Sequence, residues 1–460
     1  MSKPVFLFSF LFFSFFVFAE TNVYKISMLG AEIGKSTETW SVGSGADGHC
    51  EITLRSVSEM SLARGMDSMT VKSDTTLSAD CKTFEPKRIK GEISEGGSKI
   101  LVEGVNRKGF FETSLTKNGS RETSKFQLPK DTAFFGMIFR KLGAEDLLKG
   151  GKTSIISEES LTASEISYSA QKNADGTVTA TVVFQGIPIR YTVSGKKVLR
   201  SEIQNGLIVY TLDSLPATKT AAVQGSPDIL QSTKLFNQGI SIKSPRKTRN
   251  TTFQVENADF SSIPETCFQK KVSGNTLFVS SDAANCTNMP SPEDTQSNII
   301  EDSSNPEIIR ASQKIVLGAP NQLEMVKRIA KFVYKHINIK NYNHGNMSAS
   351  EVLRTRSGDC TEHSALFAAL SRAVGIPVKM VYGVVLNPSG EFFFHNWNEA
   401  FADGKWITID STFDIVPADS SRITLIYGGA DSRSREQVSL SVLRFIGNTE
   451  IFARGFANEQ

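Results

Sequence analysis

SGDCTEHSALFAAL, Ser357 to Leu370, decides how the second half of the chain is read. Its apolar residues Ala365, Leu366, Ala369 and Leu370, continued by Ala373, recur at helical spacing, and Gly375-Ile376-Pro377 stops the run. The spacing predicts a helix with Cys360 at its N-terminus or one residue inside it. Backbone N–H groups without helical partners and the positive end of the helix dipole favour a thiolate there, so Cys360 is the candidate nucleophile. The same N–H groups can help hold an oxyanion. The competing reading is an inert core cysteine. Asp359 and Glu362 read as dipole-matched surface charges, and His363 as a structural hydrogen-bonding residue or a modulator of the thiol.

A thiolate nucleophile needs a proton shuttle and a group that orients the shuttle. Five histidines exist, at 49, 336, 344, 363 and 395. Downstream of the helix, VKMVYGVVL, EFFFHNWNEAFA and KWITIDSTF read as three strands separated by NPSG and DG turns. His395 lies on the second and Asp410 on the third. A symmetric turn at Asp403-Gly404 pairs residues whose numbers sum to about 807, which leaves Asp410 one same-face step from the position opposite His395. Asp410 then accepts from one imidazole nitrogen while the other faces Cys360. A rival arrangement makes Cys360, His363, His395 and Asp410 four ligands of one zinc, but it lacks the paired spacing of familiar zinc sites.

GDCTEHSALFAALSRAVGIPVKMVYGVVL, HNWNEAF and GKWITIDSTF together resemble the cysteine, histidine and aspartate blocks of the transglutaminase-like superfamily of papain-type thiol enzymes. The resemblance covers about Asn321 to Tyr427 and includes the tryptophan two residues after the histidine. It implies an α+β domain with a nucleophile helix packed on an antiparallel sheet. It also implies Cys360 as nucleophile, His395 as general base and then acid, and Asp410 as the group that holds the imidazole. The blocks are most similar to bacterial members with Gly-Asp-Cys-Thr-Glu-His. Animal cross-linking enzymes carry a tryptophan directly after the cysteine, where this chain has Thr361, and another upstream in the oxyanion hole. Trp40, Trp397 and Trp406 are the tryptophans here, and none lies just upstream of Cys360. The second oxyanion donor is sought among Tyr342, Asn343 and Asn346. The expected activity is acyl transfer from a carboxamide or peptide carbonyl through a thioester, with hydrolysis favoured over cross-linking. No cofactor or metal is expected, and the expected partner is a protein or peptide substrate. The rival from another class is a catalytically silent binding or scaffold protein of the cell envelope.

The N-terminus reads differently. Lys3 is the only charge ahead of a Phe-rich apolar run from Val5 to Phe18, with Val17 and Ala19 supplying a cleavage pattern. The expectation is a signal peptide over 1–19 and a periplasmic or secreted chain, with an uncleaved anchor as the alternative. No later segment is apolar enough for a membrane span. Formal net charge is +3, and removal of Lys3 leaves +2, which argues against a nucleic-acid partner. Cys50, Cys81, Cys267 and Cys286 form an even set that suits an oxidising compartment. Proximity favours 50 with 81 and 267 with 286, although four cysteines allow three connectivities.

Between leader and enzyme domain, runs such as CEITLRSV, TVTATVVF, IPIRYTV and GLIVYTL alternate at about period two, with Asn205-Gly206 as a hairpin turn. They predict a mostly antiparallel β region over 20–214, interrupted by a helix in DTAFFGMIFRKLGAEDLLKG. A smaller β segment is expected over 215–290, a Pro- and Ser-rich linker over 291–308, the catalytic domain over 309–430 and a C-terminal strand or tail over 431–460. A concave N-terminal sheet that holds a lipid or peptide is the sharper reading of that region. A scaffold is the plainer one.

Overall fold

The computed structural model describes residues 18–45, 48–64, 67–214, 227–228, 232–283, 286–340, 347–428, 432–446 and 449–458. Of the leader expected over 1–19, residues 1–17 lie outside them, as do Tyr342, Asn343 and Asn346, while Phe18 and Ala19 begin the first strand. Among the described residues no helix is long and apolar enough to cross a membrane.

The alternation of the N-terminal region builds one fifteen-stranded sheet. The first strand, Phe18–Met28, sits inside the sheet, and successive hairpins carry the chain outward from it to Ser120–Gln127. The chain then returns at the opposite edge and works inward until Ile208–Leu212 pairs with the first strand, Tyr24 opposite Leu212. Asn205 and Gly206 hold positive φ angles of 53° and 90° in the last turn, as a tight hairpin there requires. The expected helix spans Ile138–Leu147 and breaks step at Gly143, where φ is 68°. It packs against inner faces of both halves of the sheet. Phe134, just before it, meets Phe111 edge-on at 5.9 Å, and Phe139 meets Tyr191 at 4.3 Å.

The C-terminal domain is α+β, as the sequence predicts. Val378–Leu386 lies between Glu391–Ala402 and Arg422–Gly428, and Lys405–Ile409 pairs with Glu391–Ala402. Asn398 opposite Ile409 and Ala402 opposite Lys405 keep the sum of 807. One face of this sheet is covered by helices Pro306–Val316, Gln322–His336, Ala349–Thr355 and Cys360–Arg372, whose buried residues share a core with Met380, Ala400 and Ile409. Cys360–Arg372 is buried from Glu362 onward, with the apolar run Ala365–Leu370 at its centre. The other face packs on a four-stranded sheet in which Thr248–Glu256 pairs with both Thr276–Ser280 and Glu450–Asn458. The C-terminal strand thus completes the smaller β segment from some two hundred residues away. Disulfides join Cys50 to Cys81 and Cys267 to Cys286.

The stretch expected as a linker is instead packed. Ile299, Ile300, Glu301, Asp302 and Ser303 are all buried. Arg372, at the end of the Cys360 helix, donates to the Asp294 and Gln296 carbonyls at 3.1 Å each and to the Glu301 carboxylate at 3.0 Å. The segment's polar composition imitates a linker because its backbone is satisfied by a side chain about seventy residues away.

Candidate active site

Cys360 is the first residue of its helix, and Asp359 is the N-cap. The Asp359 carboxylate accepts from the Thr361 amide at 2.8 Å, and Glu362 reaches back to accept from the Asp359 amide at 2.9 Å. This capping box satisfies two backbone donors that helix geometry leaves over and fixes the entry of the chain at Cys360. Gly358 makes the approach feasible. Its φ is +149°, and a Cβ there would stand 2.3 Å from the Glu362 Cβ.

Asp359 and Glu362 are not the surface charges the sequence suggests. Both are buried. Burial, the Asp359 charge and a hydrogen bond to the Asp359 side chain push Glu362 well above the ordinary carboxylate value.

His395, on the strand Glu391–Ala402, lies opposite Gly383 in the register. Its Nε2 donates to Asp410 Oδ2 at 2.8 Å, which leaves Nδ1 as the basic nitrogen. The ring is held between Phe413, at 5.2 Å, and Trp397, at 6.3 Å. A side chain at 383 would collide with the Ile423 carbonyl and with Trp397, so glycine there lets the sheet close under the imidazole.

Asp410 is fully buried and follows the strand Lys405–Ile409 directly. Its Oδ1 accepts from the Thr412 amide at 3.0 Å, and Oδ2 accepts from Arg422 Nη1 at 2.5 Å as well as from His395. Burial alone would raise its pKa, but the His395 and Arg422 charges and their hydrogen bonds outweigh it and hold the carboxyl well below the usual range. Arg422 also bonds Asp419 at 2.8 Å, and Arg246 joins the cluster through Ser421 at 3.0 Å. No local pattern in the sequence marks Arg422, because it comes from a strand beyond the third block. Its only signal is an arginine at the head of an otherwise apolar strand, RITLIYG.

His363 and Lys340 extend the site. His363 is fully buried, and its Nδ1 donates to the Asp359 carbonyl at 2.6 Å. Its Nε2 must then accept, and Lys340 Nζ donates to it at 3.2 Å. Burial depresses His363 to about 4, which keeps it neutral. The Gly358 amide donates to the Ile339 carbonyl, so Lys340 runs alongside the approach to Cys360. Burial lowers the Lys340 pKa against the opposing pull of Asp359 and Cys360. Asn396 ties the His395 strand to the Cys360 helix through Thr361 Oγ1 at 3.3 Å, and Asn398 does so through the Ser364 carbonyl at 3.2 Å.

The four-ligand zinc arrangement is not assembled. Both nitrogens of His363 and Nε2 of His395 are committed to protein partners, and Asp410 is saturated by donors. Among the described residues no group of three His, Cys, Asp or Glu is placed to hold a metal.

Residues 309–411 match the family described as the transglutaminase-like superfamily. Over 124 residues the chain is 27% identical to kyphoscoliosis peptidase of Mus musculus, covering 24% of this chain and 19% of that protein. Over 103 residues it is 30% identical to a protein-glutamine gamma-glutamyltransferase of Pseudomonas aeruginosa, covering 20% of this chain and 15% of the relative. The chain thus spans less than a fifth of either curated relative's length. A solved structure titled as a putative cysteine protease from Cytophaga hutchinsonii aligns at 16% identity over 49% of this chain and 87% of its own, with a TM-score of 0.30. Cys360, His395 and Asp410, each from one of the three blocks that resemble this superfamily, lie within the matched segment 309–411.

Proposed function

We propose that the chain is an exported thiol enzyme that cleaves a carboxamide or peptide bond through a Cys360 thioester. His395 Nδ1 removes the thiol proton. The sulfur adds to the carbonyl carbon, and N–H groups at the start of the Cys360 helix hold the oxyanion. Collapse of the intermediate breaks the C–N bond, and His395 returns its proton to the departing amine. Water, deprotonated by His395, then attacks the thioester, releases the carboxylic acid and restores the thiol. Asp410 keeps the imidazole in the tautomer that this cycle requires.

One observation carries the reading: His395 is bonded to a buried carboxylate that Arg422 keeps ionised, on a strand hydrogen-bonded to the helix that starts at Cys360. A merely structural histidine needs no such ionised partner. The two disulfides and the apolar leader support export. Thr361 in place of the animal-type tryptophan supports water over an amine as the resolving nucleophile.

The test is alkylation of Cys360 by iodoacetamide against pH, in the unmodified chain, in His395→Ala and after denaturation. Fast labelling at about pH 6 that is lost in the variant and on unfolding is expected; labelling no faster than a thiol of pKa about 8.5 overturns the proposal. Glutamine-peptide substrates with a fluorescent primary amine then separate the outcomes. Carboxylate release with little amine incorporation is expected, and predominant incorporation makes the enzyme a cross-linker.

A further inference from the structure

The concave face of the N-terminal sheet carries polar residues where a sheet closing on a core normally carries apolar ones. Alternate residues of its first two strands, Glu20, Asn22 and Tyr24 and then Ser36, Glu38 and Trp40, line a cavity of about 380 Å³. The opposite wall is Phe135, Phe139 and Tyr191, from the inner helix and the second half of the sheet. The volume lies within the roughly 300–1,000 Å³ of small-molecule sites, and the lining has their character, aromatic with a few convergent polar groups.

The charges in this cavity are unequally matched. Arg140 pairs with Glu20 and stacks over Trp40 at 4.8 Å, and Lys197 stands 3.9 Å from the same Glu20. Lys196 is exposed. Glu38 accepts from the Trp40 side chain, and Arg140 is the cation that acts on it, already bound to Glu20. Glu158 accepts from the Gly136 amide at 2.8 Å and from its own amide, and it faces Glu38 and Glu436. Tyr191 and Tyr210 complete this group. Burial pushes Glu38 and Glu158 up to about 7. Both carboxylates are half-buried on the cavity wall, where a ligand can reach them.

We propose that this cavity is a second ligand site, separate from the Cys360 centre, for a small amine-bearing molecule. The ammonium sits between the Glu38 and Glu158 carboxylates and against the faces of Trp40 and Tyr191, and the hydrocarbon body lies along Phe135 and Phe139. An ammonium pairs with the two carboxylates that are not in the Glu20 ion pairs, and aromatic faces favour it further. An anion is disfavoured because Arg140 and Lys197 are already taken by Glu20. Binding keeps both carboxylates ionised, so affinity rises with pH through their range.

The experiment is calorimetric titration of the full chain with n-hexylamine, and with 1-hexanol and hexanoate as controls of equal length. Saturable hexylamine binding is expected, about tenfold or more tighter at pH 8 than at pH 5.5, with the controls weaker at both. Glu38→Gln and Glu158→Gln should each weaken hexylamine by about tenfold while leaving hexanol unchanged. Absence of hexylamine binding, hexanol binding as tight as hexylamine, or indifference to both substitutions overturns the proposal. If one variant fails to fold, the other and the pH comparison on the unmodified chain still decide. Competition by an N-acetyl-lysine amide identifies a lysine side chain as the ligand's source, and binding of hexylamine alone identifies a free amine.

Discussion

Asp410 and Glu158 sit in the two halves of the chain and are treated in opposite ways. Asp410, in the enzyme domain, receives Arg422, His395 and a backbone amide, and burial fails to neutralise it. Glu158, half-buried in the N-terminal cavity, receives the Gly136 amide and its own and faces two other glutamates, and desolvation pushes it up to about 7. The enzyme half completes its electrostatics within the chain, whereas the cavity leaves a charge for something else to complete. A buried group with every charged partner supplied is part of a built device; a half-buried carboxylate set among like charges on a cavity wall points to a ligand.

Changes in the completed half should have the largest effects. Cys360→Ala should abolish acyl transfer, by roughly 10⁴-fold or more, with the thermal midpoint little changed. Asp410→Asn should lower turnover by about 10³- to 10⁴-fold, because the asparagine cannot enforce the imidazole tautomer. Near-normal turnover in Asp410→Asn would show that Asp410 is structural and would break the contrast with Glu158.

Arg422→Met comes next and is a stability effect. It strands Asp410 and Asp419 without their shared cation, and loss of one partner of a buried pair costs about 3–5 kcal/mol. Urea unfolding measures it. Since the folded pKa values of both aspartates are depressed, their contribution is present above the unfolded carboxylate value of about 3.9 and is lost as pH falls through the folded values. The deficit of Arg422→Met should therefore be full at neutral pH and shrink in acid. Lys340→Met should be milder. Removal of an ammonium from beside the thiolate should slow alkylation at about pH 6 by roughly threefold to tenfold, with the maximal rate at high pH unchanged.

What the sequence made legible follows from range. Periodicity and caps are local, so the Cys360 helix, the amphipathic helix Gln322–His336 and the hairpin register summing to 807 could be read directly. The His395–Asp410 contact was within reach because fifteen residues and one tight turn separate the pair. Arg422, Lys340 and the Arg372 clamp on the supposed linker were not legible, since each acts across separate elements on a partner that no spacing rule selects. Asp359 and Glu362 look like helix-dipole charges in sequence; only the packing of Gly358 against Glu362 reveals that the capping box is buried. In the cavity the inward glutamate of TETWSV obeys the strand alternation, but the far wall that encloses it comes from more than ninety residues further along the chain.

The smallest effect has the most informative sign. Glu158→Gln should stabilise the chain above pH 7 and leave it unchanged near pH 4. In acid the carboxyl is protonated in both folded and unfolded states, so it contributes nothing to the pH dependence. Between the unfolded value of about 4.3 and the folded value of about 7, the unfolded chain releases the proton and the folded chain keeps it, so stability falls as pH rises. Above 7 the full penalty stands, at most about 4 kcal/mol and nearer 1–2 kcal/mol once solvent around the half-buried carboxylate is allowed for. Urea midpoints at pH 4 and pH 8 measure the difference. Saturating hexylamine should narrow it at pH 8, because a bound ammonium supplies the unmodified chain with the charge that glutamine makes unnecessary. A Glu158→Gln variant less stable than the parent at pH 8 would mean that the fold itself completes this carboxylate, and the contrast with Asp410 would disappear.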